Sequence, residues 1–235
     1  MTFKSRFSFF VAMCLGASLL MAGCGSKEPA QREAFKTFLQ TRILDKQGLR
    51  VPKLTEEEKQ TLGEYTGHYA VIADFNSGMD AAVGKPMNEL ISKGQIRSIG
   101  DVIARRADIK TVQDGMVNLR GALDKQQATA DQARAALKQP DDLKVVYDKA
   151  YERTVSGPAA IFKEVFPAID ATLAQTIKIA EFLDRNAAKV KISGATVQVS
   201  DPATLAEFNS MVQALQQRGA ELQTAQRKLQ AMVRG

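Results

Sequence analysis

Two stretches of the chain repeat their apolar residues at alternating steps of three and four. The first runs Ile109, Val112, Met116, Leu119, Leu123, Gln126, Ala130, Ala133, Leu137; the second runs Leu205, Phe208, Val212, Leu215, Gly219, Leu222, Gln226, Leu229, Val233. An α-helix returns to one face every 3.6 residues, so this spacing lays each set along one side of a long helix. Sustained for about four heptads, it points to coiled-coil-like packing rather than to strands. The pattern does not say whether the seams pair within one chain or between chains. Gln126, Gly219 and Gln226 weaken the seams; they mark close approach or local opening, and a polar seam residue can also set register.

The segments around these seams read as further helices. Pro29 opens the first, with Phe35, Phe38, Leu39 and Ile43 on one stripe. Thr55 caps the second, three glutamates fill its positive first turn, and Glu58 completes a capping box. That helix is expected to run to about Val83, before Gly84-Lys85-Pro86. Residues 87–107 read as short helical pieces broken at Gly94 and Gly100. Pro140 ends the first seam helix, and Asp141 or Asp142 caps the next. Pro158 starts another, which Pro167 should kink or divide. The period then changes to two: Val190 and Ile192 alternate, Ser193-Gly194-Ala195 turns, and Val197 and Val199 alternate back, a short β-hairpin. Asp201 caps the last helix, with Pro202 at its first position. The expected fold is mostly α, an elongated helical bundle with long coiled-coil-like helices and one short β-hairpin near residues 188–200, with 29–235 as a single helical domain.

The N-terminus carries an address. Lys4 and Arg6 precede an uncharged run from Phe7 to Met21, the pattern of a cleaved secretory signal rather than of a span, which needs roughly 20 apolar residues. The junction Met21-Ala22-Gly23-Cys24 looks like a bacterial lipobox, with Met21 where leucine is usual. Cleavage between Gly23 and Cys24 would remove residues 1–23, leaving Cys24 as the lipidated first residue and 24–28 as a short tether. The expected modification is a diacylglycerol thioether plus an N-acyl chain on Cys24, and no other cofactor. Cys14 leaves with the signal, so the mature chain has neither a free thiol nor an internal disulfide. Gly25 stands where aspartate signals inner-membrane retention in well-studied Gram-negative bacteria, which favours the outer membrane, periplasmic face.

Lys4 and Arg6 account for two of the six net positive charges. The remaining charges interleave, as in TEEEK and PDDLK, without the runs of five or six that mark nucleic-acid tails. No nucleic-acid partner is expected. The aromatic pairs Tyr65/Tyr69, Tyr147/Tyr151 and Phe162/Phe166 stand at helical spacing and read as core packing. The single histidine, His68, shares a helical face with Glu64, but a zinc site usually needs three or four ligands. It reads as a surface or boundary residue. No GxSxG elbow, GxGxxG or P-loop occurs. The glutamates 56–58 and the pair Asp141-Asp142 are explained by helix-start electrostatics. An enzyme is not expected, and no catalytic or metal-binding residue is assigned.

The block Ala136-Leu137-Lys138-Gln139-Pro140-Asp141-Asp142-Leu143-Lys144, followed by Tyr147-Asp148 and Ala150-Tyr151, resembles the YiaF-like family of uncharacterised Gram-negative lipoproteins (domain of unknown function 3053). The likeness extends to Gln31-Arg32, Ala34-Phe35, Phe38-Leu39-Gln40, Pro158-Ala159 and Pro167-Ala168. The resemblance implies a lipobox-anchored envelope protein and carries over no catalytic residue. The reading that follows is a non-enzymatic binding or structural module, tied to the membrane by its lipid and engaging an envelope protein partner or a second copy of itself. The alternative is lipid or small-molecule binding in an apolar pocket between helices, with Gln126, Gly219 and Gln226 marking gaps. A hydrolase using His68 is a third.

Overall fold

The computed structural model describes residues 27–93, 99–193 and 196–235, and the fold is mostly α with one two-stranded hairpin. Helix α1 (Glu28–Leu39) has Pro29 in its first turn and continues through a π-turn, Gln40–Leu44. Its predicted stripe, Phe35, Phe38, Leu39 and Ile43, is buried. Helix α2 (Glu56–Leu62) carries the predicted capping box: the Thr55 hydroxyl accepts from the Glu58 amide at 3.1 Å, and the Thr55 amide donates to Glu58 at 2.8 Å.

That helix does not run to Val83. Gly63 breaks it at φ 56°, a left-handed value that suits glycine. The side chain of Gln31 fills the space a Cβ would need there, with its nearest atom 2.1 Å away. Helix α3 (Tyr65–Met79) restarts the chain. Gly84-Lys85-Pro86, read as a stop, is passed through: a π-turn, Asp80–Gly84, leads directly into α4 (Lys85–Lys93). Helix α5 (Ile99–Ala104) contains Gly100, which therefore breaks nothing, and Gly94 lies outside the described residues.

Helix α6 (Arg106–Ala135) holds the first heptad seam, burying Ile109, Val112, Met116, Leu119, Leu123 and Ala130. Pro140 is the N-cap of α7 (Asp141–Tyr151), and neither aspartate caps by its side chain; both sit in the first turn, where the dipole favours acids. Pro158 stands in the first turn of α8 (Gly157–Arg185), where a helix start is predicted, but α7 runs into α8 without a break through a π-turn, Glu152–Ser156. The Gly157 amide donates to Glu152 in the longer π pattern. Pro158 has no N–H for the Thr154 carbonyl, and Asn76 of α3 donates to that carbonyl at 3.1 Å instead. Pro167 sits exposed inside α8 without dividing it.

The unbroken α7–α8 helix spans about 65 Å at 1.5 Å per residue, so the molecule is a rod. One end is fixed by Asp142 against Arg32 and Lys36 of α1, and the other by Asp184 against Arg106 of α6. Helices α6 and α9 (Pro202–Arg234) both pack along α8, and α3 packs on α6. The two predicted seams therefore meet α8 and not each other. The larger core, rich in Phe and Tyr, lies toward the α1 end. A smaller one around Ile179, Phe182, Leu183 and Phe208 lies under the hairpin. The C-terminal end of α9 closes on Gly48 (φ 67°), where a Cβ would stand 2.3 Å from the Val233 carbonyl oxygen.

The second seam is only half right. Phe208, Leu215, Leu222 and Leu229 turn inward as expected, but they are joined by Thr204, Met211 and Ala225. Leu205, Gly219, Gln226 and Val233 are exposed. Packed mainly against α8, α9 buries the edge on one side of the leucine row and leaves the other edge in solvent.

The hairpin forms as predicted. Strands β1 (Val190–Ser193) and β2 (Thr196–Val199) pair antiparallel with Val190 opposite Val199 and Ile192 opposite Val197. Val190, Ile192 and Val197 pack on the smaller core. Asp201 caps α9: its carboxylate accepts from the Thr204 amide at 3.0 Å, the Thr204 hydroxyl at 2.6 Å and the Lys189 ammonium at 3.1 Å. The Thr204 hydroxyl bond is the leading cause that lowers this carboxyl from the ordinary 3.8 to about 2. A lowered folded value means stability that is present above the unfolded value and lost as pH falls through the folded one. Asp201→Asn keeps a cap but cannot titrate. The melting-temperature gap between wild type and this variant is expected to be present at neutral pH and to close between 3.8 and about 2. A gap that does not change over that range would show that the carboxylate charge contributes nothing at this cap.

Candidate functional site

The predicted lipidation and cleavage residues, Cys24 and Gly23, lie outside the described residues. Covalent reach still limits what Cys24 can be near: the chain from Cys24 to Lys27 spans at most about 11 Å. Whatever surrounds the N-terminus of α1 is therefore the part of the domain next to Cys24.

That region is an aromatic joint between α1, α3 and α7. The Phe35 ring stacks on Tyr65 with centroids 5.6 Å apart, meets Tyr147 at 6.3 Å and stands edge-on to His68 at 6.5 Å. A neighbouring pair, Phe38 and Tyr69, packs edge to face at 5.0 Å. Of the aromatic pairs at helical spacing, both tyrosine pairs and Phe166 are buried core and Phe162 is half-buried against it, with Tyr65 and Tyr69 each packing on a different phenylalanine of α1. Every tyrosine hydroxyl has an acceptor: Tyr65 donates to Glu28, Tyr69 to the Pro52 carbonyl, Tyr147 to the His68 carbonyl and Tyr151 to Asp131. Burial pushes all four phenols well above their usual range, so they stay protonated as donors.

Charged groups bind the same joint from outside. Asp142 accepts from Lys36 at 3.2 Å and Arg32 at 3.4 Å, and the Lys36 hydrogen bond is the main cause that lowers its carboxyl. Burial acts to raise Asp148, but hydrogen bonds from Lys144 and Arg134 outweigh it and hold that carboxyl low. The Arg134 guanidinium also lies 4.6 Å above the Tyr151 ring. The Asp142 contacts fasten α1 to α7, and the Arg134 contacts fasten α6 to α7, by packing and by charge-assisted bonds.

His68 is a boundary residue, as expected. Its Nδ1 lies 3.1 Å from the Gln139 amide nitrogen, which donates to it when the proton sits on Nε2. Burial lowers its pKa and Glu64 acts in the opposite direction. Its ring contacts are Phe35, Tyr65 and the Gln139 amide, with Glu64 acting on it through charge. Among the described residues no three His, Cys, Asp or Glu side chains gather as a metal site, and no helix is long and apolar enough to cross a membrane.

Of the positions read as marking gaps between helices, Gln126 lines a small cavity of about 190 Å³ between α3 and α6, beside Val71, Phe75 and Ala130. Gln126 packs against Gly78 of α3, where its amide fills the space a Cβ would take, while Gly219 and Gln226 face outward. A groove of about 640 Å³ beside Val51, Leu54, Tyr69 and Ala73 opens to solvent along Asp74 and Asp80.

Sequence reasoning missed the joint as a unit. Its signal was present in the two segments that carry the family resemblance, 31–40 and 136–151, which turn out to be packing partners. A family model described as "Protein of unknown function (DUF3053)" matches residues 11–230. The chain is 28% identical over 201 residues to the uncharacterized protein YiaF of Escherichia coli K12, covering 83% of this chain and 85% of that protein. The YiaF protein of Shigella flexneri matches to the same extent. No solved structure matches.

Proposed function

The chain belongs to the DUF3053 family of proteins of unknown function, and from that premise we propose that it is a non-enzymatic envelope lipoprotein. Cys24 carries the diacylglycerol and N-acyl chains, the domain faces the periplasm, with the outer membrane favoured, and the rod binds another envelope component. The observation that carries this reading is the mechanical arrangement of the tether end. The tether is short, and α1 is fastened to the long α7–α8 helix through Phe35, Tyr147 and the Arg32–Asp142–Lys36 contacts. A lipid on Cys24 would therefore hold one end of a stiff rod, and the hairpin end would stand about 65 Å along it. That is the form of a spacer or adaptor.

The packing supports this over lipid or small-molecule carriage. Gly219 and Gln226 face water, the cavity that Gln126 lines is about 190 Å³, smaller than the roughly 300 Å³ at which ligand pockets begin, and the groove beside Tyr69 is open to solvent. In-cell crosslinking followed by affinity capture tests the choice, with Cys24→Ala as control. The expected result is a stoichiometric envelope component captured from the anchored protein and lost from the variant. Capture of no envelope component, with lipid co-purifying in stoichiometric amount with the domain, would overturn the adaptor reading in favour of carriage.

A further inference from the structure

We propose that a second copy of this chain packs on the outward face of α9, parallel and in register, at Leu205, Val212, Gly219, Gln226 and Val233. These are the heptad positions that the fold leaves out of the α8 contact. Leu205 is 40% exposed and Val233 50%. Gly219 and Gln226 are exposed, and Val212 is half-buried at the margin of the α8 packing. The row lies beside Phe208, Leu215, Leu222 and Leu229, so a helix docked there extends an interface the chain already uses.

The chemistry of the face selects a copy of itself. A solvated helix face normally carries charge, and a quarter of this chain is charged. From Leu205 to Gln226 the outward side of α9 carries none, its polar groups being amides and hydroxyls, and the exposed Arg227 and Arg234 come only toward the Val233 end. Arg218 and Glu221 pair with each other on the flank at 2.9 Å, and Lys228 is held by Glu164 at 2.6 Å. An uncharged face gives a charged partner nothing to recognise. In a parallel two-fold pair, each apolar layer meets its own copy. Gln216 and Gln223 meet glutamines, which can both donate and accept. Gly219 lies at the middle with nothing within 4 Å of where a Cβ would stand, so the two backbones can approach closely there.

The area sets the strength. From Leu205 to Val233 the strip is about 42 Å long and about 10 Å wide, so the pair buries about 800 Å² in total, below the roughly 1,200 Å² of a stable complex. Confinement to one membrane supplies the missing effective concentration. The parallel register rests on the anchor reading, because chains held at Cys24 in one membrane leave it by the same end.

The test uses the full chain in cells, with Leu205→Cys, Val212→Cys or Val233→Cys introduced singly, a permeant oxidant, and non-reducing gels. Each variant is expected to give a disulfide-linked dimer, while Val117→Cys on α6, 60% exposed, gives none. Adding Gly219→Glu to Leu205→Cys is expected to abolish the dimer without lowering the melting temperature, since position 219 has no neighbours and glutamate is the better helix former. No dimer from any α9 position, or yields equal to that of Val117→Cys, would overturn the interface. Dimers formed only when Leu205→Cys and Val233→Cys chains are co-expressed would overturn the parallel register. A dimer from the unmutated chain would report a free Cys24 thiol and count against the anchor, leaving the face to be judged by the effect of Gly219→Glu.

Discussion

Phe35→Ala is expected to destabilise the domain by about 3–5 kcal/mol, the usual cost of removing a fully buried phenylalanine. Phe35 is 0% exposed and touches rings from two other helices, Tyr65 of α3 and Tyr147 of α7. Those rings are held by their own hydroxyl bonds, Tyr65 to Glu28 and Tyr147 to the His68 carbonyl, so they cannot collapse into the space without breaking them. The cavity therefore stays open and the cost falls at the upper end. Native stabilities are only about 5–15 kcal/mol, so this one change removes a large part of the total. Urea unfolding of the purified domain measures it, with Val145→Ala as reference. Val145 is 58% exposed on α7, and its loss is expected to stay within about 0.5 kcal/mol. A loss below about 1 kcal/mol for Phe35→Ala would mean that the aromatic joint does not organise the tether end.

Cys24→Ala is expected to abolish acyl labelling of the protein. It should also remove the lipid mass from the N-terminal peptide. Each buried methylene contributes about 0.8 kcal/mol, so a single chain holds only marginally whereas two or three hold essentially permanently. Among the described residues no helix is long and apolar enough to cross a membrane, so the described part of the rod supplies no spanning helix in place of the lipid. The variant secreted behind an ordinary signal should fractionate with soluble periplasmic protein, while the wild type stays with the membrane through an alkaline wash. Retained acyl label in Cys24→Ala, or an unmodified Cys24 in the wild type, would refute the anchor.

Local chemistry was legible wherever one short segment decides the outcome. The Thr55–Glu58 box, the Asp201-Pro202 start and the alternation from Val190 to Val199 all appear where the residues predicted them. The reading failed where a distant group supplied what the local backbone lacked. Pro158 reads as the start of a separate helix, but α7 runs straight into it, and Asn76, 78 residues away, donates to the Thr154 carbonyl that the proline leaves without its helical donor. Gly63 falls inside the helix expected to run from Thr55 to about Val83, yet it ends α2. Its turn is filled by Gln31, which only the folded chain brings there.

By itself the sequence determined the class and the periodicity: a mostly helical chain with two long heptad helices, one hairpin, and a cysteine placed at a lipobox-like junction. Hydrophobic spacing does this because it says which side chains share a face. It does not say how many neighbours that face meets. Helix α6, placed between α3 and α8, buries most of its seam; α9, with α8 beside it, buries one edge and leaves Leu205, Gly219 and Val233 in solvent. The same 3-4 repeat thus has two outcomes, and only the tertiary structure decides between them, because burial depends on the partner helices and not on the helix alone.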